Sequence, residues 1–259
     1  MAGSAAAAII ISGASTMAVA SGGTKDLAAA LSEASAPAAP RVAPVPSGAT
    51  ERLLPTPDDA PESAAYQLVA IAGVSQPVIA YDPCRPIHYV VAEGGAPEGA
   101  EQMLNRAFDR LSAATGLVFV GDGVTDEAPS EDRAVYQPER YGESWAPILV
   151  SWGGEGLPGD SLGMGESRAI SLGDSPYVLV SGQLVFNGPL LGEWLSGPDG
   201  AAFVDAVVLR EAARLLGLRE VDDPAQLMHQ EVGLGALDLG DGDLAGLAVL
   251  GSGVCAPEL

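Results

Sequence analysis

Four charged residues stand where an active site would put its working groups. Arg210, Glu211 and Arg214 lie within LREAARLLG, and Glu220 follows after Gly217, with Met228 further along. On a helix, at about 100° per residue, Arg210 and Arg214 are about 40° apart, and Glu211 is about 60° beyond Arg214. Three charges therefore share one face of an otherwise apolar segment. Glu211 and Arg214 are also an i, i+3 pair of opposite sign. Gly217 lets the chain leave the helix and brings Glu220 back toward that face. Two arginines beside two carboxylates make a self-neutralising cluster, which is how a chain keeps charge away from water. A solvated face is the plainer alternative.

Other chemistry-bearing residues are fewer. His88 and His229 are the only histidines, and Cys84 and Cys255 the only cysteines. Two cysteines cannot build a Cys-rich zinc site. Their placement fits one disulfide tying the start of the folded region to its end, and two buried thiols are the alternative. Asp222-Asp223, before Pro224, reads as a turn rather than a paired-carboxylate site. GDSLG around Ser161 has the letters of a nucleophile elbow but lacks the strand before it and the helix after it.

These residues are positioned by a recognisable run of elements. Strands are expected at Ile87–Val91, 117–121, 146–152, 167–173 and 177–187. The third has no alternation and reads as buried on both faces. Leu104, Ala107, Phe108, Leu111 and Ala114 recur at helical spacing up to Gly116. GAAFVDAVVLREAARLLG is a helix apolar almost all round, hence central, and DGDLAGLAVLG is a last helix. The order predicts a mixed sheet of about five strands with helices behind it, an α+β fold.

The spacing from 210 to 220 is that of H-E-x-x-H-x-x-G-x-x-H followed by a methionine turn. Together with YDPCRPIHYVV, RYGESWAPILVSW, VDDPAQLM and GDLAGLAVLG, residues 66–259 resemble the matrixin-like metzincin domains of secreted actinobacterial proteins. The resemblance implies a zincin-like fold: a twisted mixed sheet whose edge strand overhangs a cleft, a central active-site helix, a Met-turn at Met228 and a C-terminal helix. It implies zinc ligands at 210, 214 and 220, a general base at 211, Gly217 as the motif glycine, and zinc metalloendopeptidase activity. All three ligand positions are substituted here, by Arg210, Arg214 and Glu220. Arginine has no lone pair to give and keeps its proton, and a three-histidine site needs more histidines than the chain has. No cofactor is expected, and Glu211 is expected to be vestigial.

What the resemblance leaves is a cleft. In metzincins a peptide is bound by addition to the edge strand, and Ser167, Arg168, Ala169, Ile170 and Ser171 are the expected edge. Strand addition uses main-chain groups and survives loss of a metal. The expected function is therefore a pseudoprotease that binds a peptide or protein segment. The alternatives are a hydrolase with an unconventional site around Glu211 and Glu220, with His229 as an added candidate, and a purely structural envelope protein. Glu220→Ala is expected to destabilise the domain by several kcal/mol if the cluster is buried.

Composition narrows the setting. The chain sets 12 cations against 34 acids for a net charge of −22, and Lys25 is its sole lysine. Nucleic acid and anionic membrane surfaces call for a basic footprint, so neither is an expected partner. MAGSAAAAIIISGASTMAVA (residues 1–20) reads as a signal peptide ending at Ala18-Val19-Ala20 or as a single membrane anchor, although no cation precedes its apolar run. A misassigned start or a disordered tail is the alternative. Residues 21–65, rich in Ala and Pro, read as a disordered linker. The expected location is extracytoplasmic, secreted or N-terminally anchored.

Overall fold

The computed structural model describes residues 43–259, apart from Asp160 and 231–234. The expected signal peptide or anchor lies outside the described residues. In chain order the elements are β1 (Gln67–Leu68), β2 (Ile87–Ala92), α1 (Ala100–Thr115), β3 (Phe119–Thr125), α2 (Pro138–Tyr141), β4 (Ile148–Ser151), β5 (Gly163–Ile170), β6 (Val178–Phe186), α3 (Gly188–Leu195), α4 (Gly200–Leu216), β7 (Leu218–Arg219) and α5 (Asp241–Gly251).

Five strands form a mixed sheet in the order β3-β2-β4-β6-β5. The first four are mutually parallel, and β5 runs antiparallel to β6 along one edge. Strand β4 is buried on both faces, as its unbroken apolar run predicts. The fold is α+β, with α1 and α4 packed together and α4 lying against β5 and β6.

Helix α4 is the axis of the core. Phe203, Val204, Val208, Ala212, Leu215 and Leu216 are all buried, against Leu104, Phe108 and Leu111 of α1 and Leu184 and Phe186 of β6. Each fully buried large apolar side chain stabilises by about 1.5–3 kcal/mol over its exposed state. The helix stops at Gly217, whose φ of 118° favours a residue without Cβ. Beyond it, β7 pairs antiparallel with β1.

Cys84 and Cys255 form a disulfide with Cα atoms 5.4 Å apart, closing a loop with a sequence separation of 171. In the chain-entropy model such a loop contributes about 5 kcal/mol. A disulfide suggests an oxidising, extracytoplasmic environment. Among the described residues no helix is long and apolar enough to cross a membrane.

Three details depart from the sequence reading. Residues 43–65 lie against the domain: Ser47 N donates to Leu259 O, Leu53 N to Pro83 O, and Arg52 to the carbonyls of Gly251 and Gly253. A Pro-rich segment need not form an element to be held, because its remaining main-chain groups pair with loops of the fold. The edge strand begins at Gly163, not Ser167, and ends at Ile170, so Ser171 lies past it. Helix α3, opened by Asn187 accepting from Leu190 N, has no counterpart in the sequence reading.

Candidate functional site

The four charges meet. From α4, Arg210 donates to Glu220 Oε1 at 3.1 Å, and Arg214 donates to the same oxygen at 2.7 Å. Arg210 also spends one nitrogen on two main-chain carbonyls, Leu227 O and His229 O, each at 2.6 Å. The guanidinium thus ties the central helix to both flanks of Met228, itself buried. The Arg210 side chain is 3 % exposed, whereas that of Glu220 is 43 % exposed. The turn after Gly217 brings Glu220 back to the helix face, as the spacing predicts.

Glu211 extends the cluster to the sheet edge. Its Oε2 accepts from Gly165 N of β5 at 2.9 Å. A Cβ at Gly165 would stand 2.0 Å from Glu211 O, and one at Gly163 would stand 3.2 Å from Glu211 Cγ. These glycines let α4 approach the strand so closely; a side chain at 165 would drive helix and strand apart. Arg214 Nε is 3.1 Å from Glu211 Oε2 and Arg210 Nε is 3.8 Å from Oε1. Both pairs are close in charge, but neither Nε–H is aimed, and both are buried without a hydrogen-bond acceptor. Burial pushes the Glu211 carboxyl above its ordinary range, against the pull of Arg214, Arg210 and the Gly165 N–H. The Arg214 hydrogen bond, with the charges of both arginines, holds Glu220 below that range.

The turn at Met228 is braced from behind by residues that no pattern in the sequence singles out. Asp243, 1 % exposed at the start of α5, accepts from Leu227 N at 2.6 Å, Gly240 N at 2.9 Å and Met228 N at 3.3 Å. Gln226 Oε1 accepts from Gly242 N at 2.7 Å. The local signal available was an acidic residue at N3 of a helix, which satisfies first-turn donors. A cavity of about 220 Å³ lies beside Arg210, lined by Phe203, Ala206, Val207, Leu227 and His229 among others.

A zinc ion does not fit this donor set. The guanidinium nitrogens have no lone pair and two fixed positive charges would face the ion. The single oxygen Glu220 Oε1 already takes both arginines. His229 joins the cluster through its carbonyl oxygen. His88 is remote in role: on β2, its Nδ1 pairs with Asp122 of β3 at 2.9 Å, with both side chains exposed. Asp223 accepts from Ala225 N at 3.0 Å and from Gln226 Nε2 at 2.9 Å, the work of a turn former. Ser161 Oγ donates to Gly163 O at 3.0 Å, with a strand after it and no helix.

No family model matches the chain, and no curated protein matches it.

Proposed function

We propose that residues 66–259 are a matrixin-like domain in which an ion cluster has replaced the zinc centre, and that the domain acts by binding an extended peptide or protein segment rather than by hydrolysis. It works in an extracytoplasmic setting, secreted or N-terminally anchored. The observation that carries this reading is the Arg210–Glu220–Arg214 cluster. Arg210 and Arg214, at two of the positions at which the motif calls for metal ligands, both hydrogen-bond to Glu220 at the third, and Arg210 ties the helix to the turn at Met228. Four parallel strands, an antiparallel edge strand and a glycine-ended helix beneath it support the family reading. Glu211 is buried, and its Oε2 already accepts from Gly165 N, whereas a general base presents its carboxylate to a reacting proton.

The closing of Glu211 under β5 also favours a second reading, a purely structural envelope domain with a filled cleft. Peptide binding separates the two. Metal content and cleavage of a mixed peptide substrate, measured on the full chain, test the non-catalytic reading. The expected result is no stoichiometric zinc and no chelator-sensitive cleavage, since the three positions offer no nitrogen with a lone pair and a single carboxylate whose Oε1 already takes both arginines. Stoichiometric zinc with chelator-sensitive cleavage would defeat it.

A further inference from the structure

Residues 43–55 run along the domain as a strap, and its hold is confined to one place. Among the described residues, each hydrogen bond from the strap to the rest of the domain lands within four residues of Cys84 or Cys255. Ser47 N donates to Leu259 O and Gly48 N to Pro257 O, both at 3.0 Å, and Leu53 N donates to Pro83 O at 3.1 Å. Arg52 donates to Gly251 O at 2.7 Å and to Gly253 O at 3.3 Å. The apolar side chains add little grip, since Val45, Leu53 and Leu54 are all exposed. A few hydrogen bonds, each of small net worth in water, do not alone offset the entropy of ordering a segment. The strap therefore depends on the surface beneath it being fixed. Most of that surface is the tail after α5, and the Cys84–Cys255 disulfide pins it. Buried Asp82 accepts from Cys84 N on one side and Ala256 N on the other, and Arg85 donates to Leu259 O. Ala256 and Leu259 are buried with Val178, and Trp145 packs against them. Strap and disulfide region together wall a cavity of about 350 Å³, lined by Pro44, Val45, Ser47, Asp82, Arg85 and Trp145 among others. It shares no wall residue with the cavity beside Arg210.

We infer that the strap is a removable wall of this cavity and that the Cys84–Cys255 disulfide is its latch, opened by thiol–disulfide exchange with a dithiol. Cys84 is buried, whereas Cys255 is half-buried and follows the exposed Val254, so attack falls on Cys255 Sγ. A thiolate of the dithiol bonds to Cys255 Sγ as the Cys84–Cys255 bond breaks, and Cys84 leaves as a thiolate that takes up a proton. The second thiolate then attacks its own sulfur in the mixed disulfide and releases Cys255, which takes up the second proton. The chain gains two electrons and two protons, and the dithiol that supplied them is oxidised to a disulfide. The tail then keeps only the contacts of Asp82 and Arg85 and its two buried side chains. Four of the strap's five acceptors, on Gly251, Gly253, Pro257 and Leu259, lie in or next to that loosened tail. The strap detaches, and the cavity loses a wall.

Hydrogen exchange on the isotope-labelled full chain, oxidised and then held in dithiothreitol, tests the latch, with thiol titration to confirm reduction. On reduction the Ser47, Gly48 and Leu53 amides should exchange about tenfold faster or more, while Leu111 of α1 and Val150 of β4 keep their rates. The Trp145 indole N–H, buried without an acceptor, should speed up with the strap, because it packs on the released tail. Reoxidation should restore the slow rates. A chain carrying Cys84→Ser and Cys255→Ser should show the fast rates with or without dithiothreitol, and the reduced unmodified chain decides the matter if that variant does not fold. Unchanged exchange at Ser47, Gly48 and Leu53 after reduction overturns the inference, since the strap would then be held without the latch. So does loss of protection at Leu111 and Val150 together with the strap, because the disulfide would then staple the whole domain. A disulfide that dithiothreitol leaves intact in the folded chain overturns it as well.

Discussion

The domain buries two arginine–glutamate clusters, and they are built differently. In the loop between β3 and β4, Arg133 grips Glu127 with two bonds of 2.9 Å, and Gln137 and Tyr141 each add one of 2.6 Å to the same carboxylate. The remaining Arg133 nitrogen donates to Ser181 Oγ and Gly182 O. At the end of α4, Arg210 and Arg214 converge on a half-exposed carboxylate and leave both Nε atoms without an acceptor. Burial works against the charge of Glu127, but the bonds from Arg133, Tyr141 and Gln137 win and hold its carboxyl below the ordinary range. Burial wins at Glu211, which is held above it. One network is complete; the other is neutralised in charge but incomplete in hydrogen bonding. Buried polar atoms without a partner are exceptions in folded proteins, and here two of them sit on neighbouring turns of one helix.

Breaking each cluster should expose the difference. Arg133→Leu strands a buried carboxylate and should cost about 3–5 kcal/mol in chemical denaturation. Arg210→Leu should cost less, about 2–3 kcal/mol, because Glu211 and Glu220 keep Arg214 while two carbonyls lose a donor. Glu220→Ala should cost about 1 kcal/mol, since an exposed partner is screened by water. That is a smaller figure than the sequence alone suggested, because the arginine is buried and the glutamate is not. Equal losses from the two arginine variants would erase the contrast.

Acid should separate the clusters by sign. A carboxyl held below its ordinary range contributes stability that is full above that range and lost as pH falls through the folded value. This is Glu127. A carboxyl held above its ordinary range binds its proton more readily when folded, so its contribution grows as pH falls through the raised value; this is Glu211. Melting Glu127→Gln and Glu211→Gln beside the unmodified chain from about pH 8 to about pH 4 reads both. The deficit of Glu127→Gln should shrink toward acid, and the relative stability of Glu211→Gln should decline. Parallel slopes would mean that the two carboxylates share one environment.

The cluster on α4 was the more legible region in sequence, and the loop the less. Arg210, Glu211 and Arg214 are neighbours on one helix, and Gly217 marks the turn that returns Glu220, so local geometry alone brings them together. The core helix and the buried third strand were likewise written in their apolar runs. Glu127 meets Arg133 inside an acidic, proline-containing loop with no period to read. Asp243 accepts from the main-chain N–H groups of 227 and 228, and a side chain that accepts from backbone leaves no trace in the sequence of what it contacts. Gly163 and Gly165 fell before the expected strand at 167–173, because glycine is a poor strand former. Their use is the close approach of α4, which becomes visible only when helix and strand are both in place.

Zinc titration of the chain before and after Arg210→His, Arg214→His and Glu220→His are introduced together tests the central claim most directly. If the cluster stands in the frame of a metal site, the triple variant should take up one zinc per chain, with the affinity of an open three-histidine site, and the unmodified chain none. Tight stoichiometric zinc in the unmodified chain, or a folded triple variant that takes up none, would contradict it.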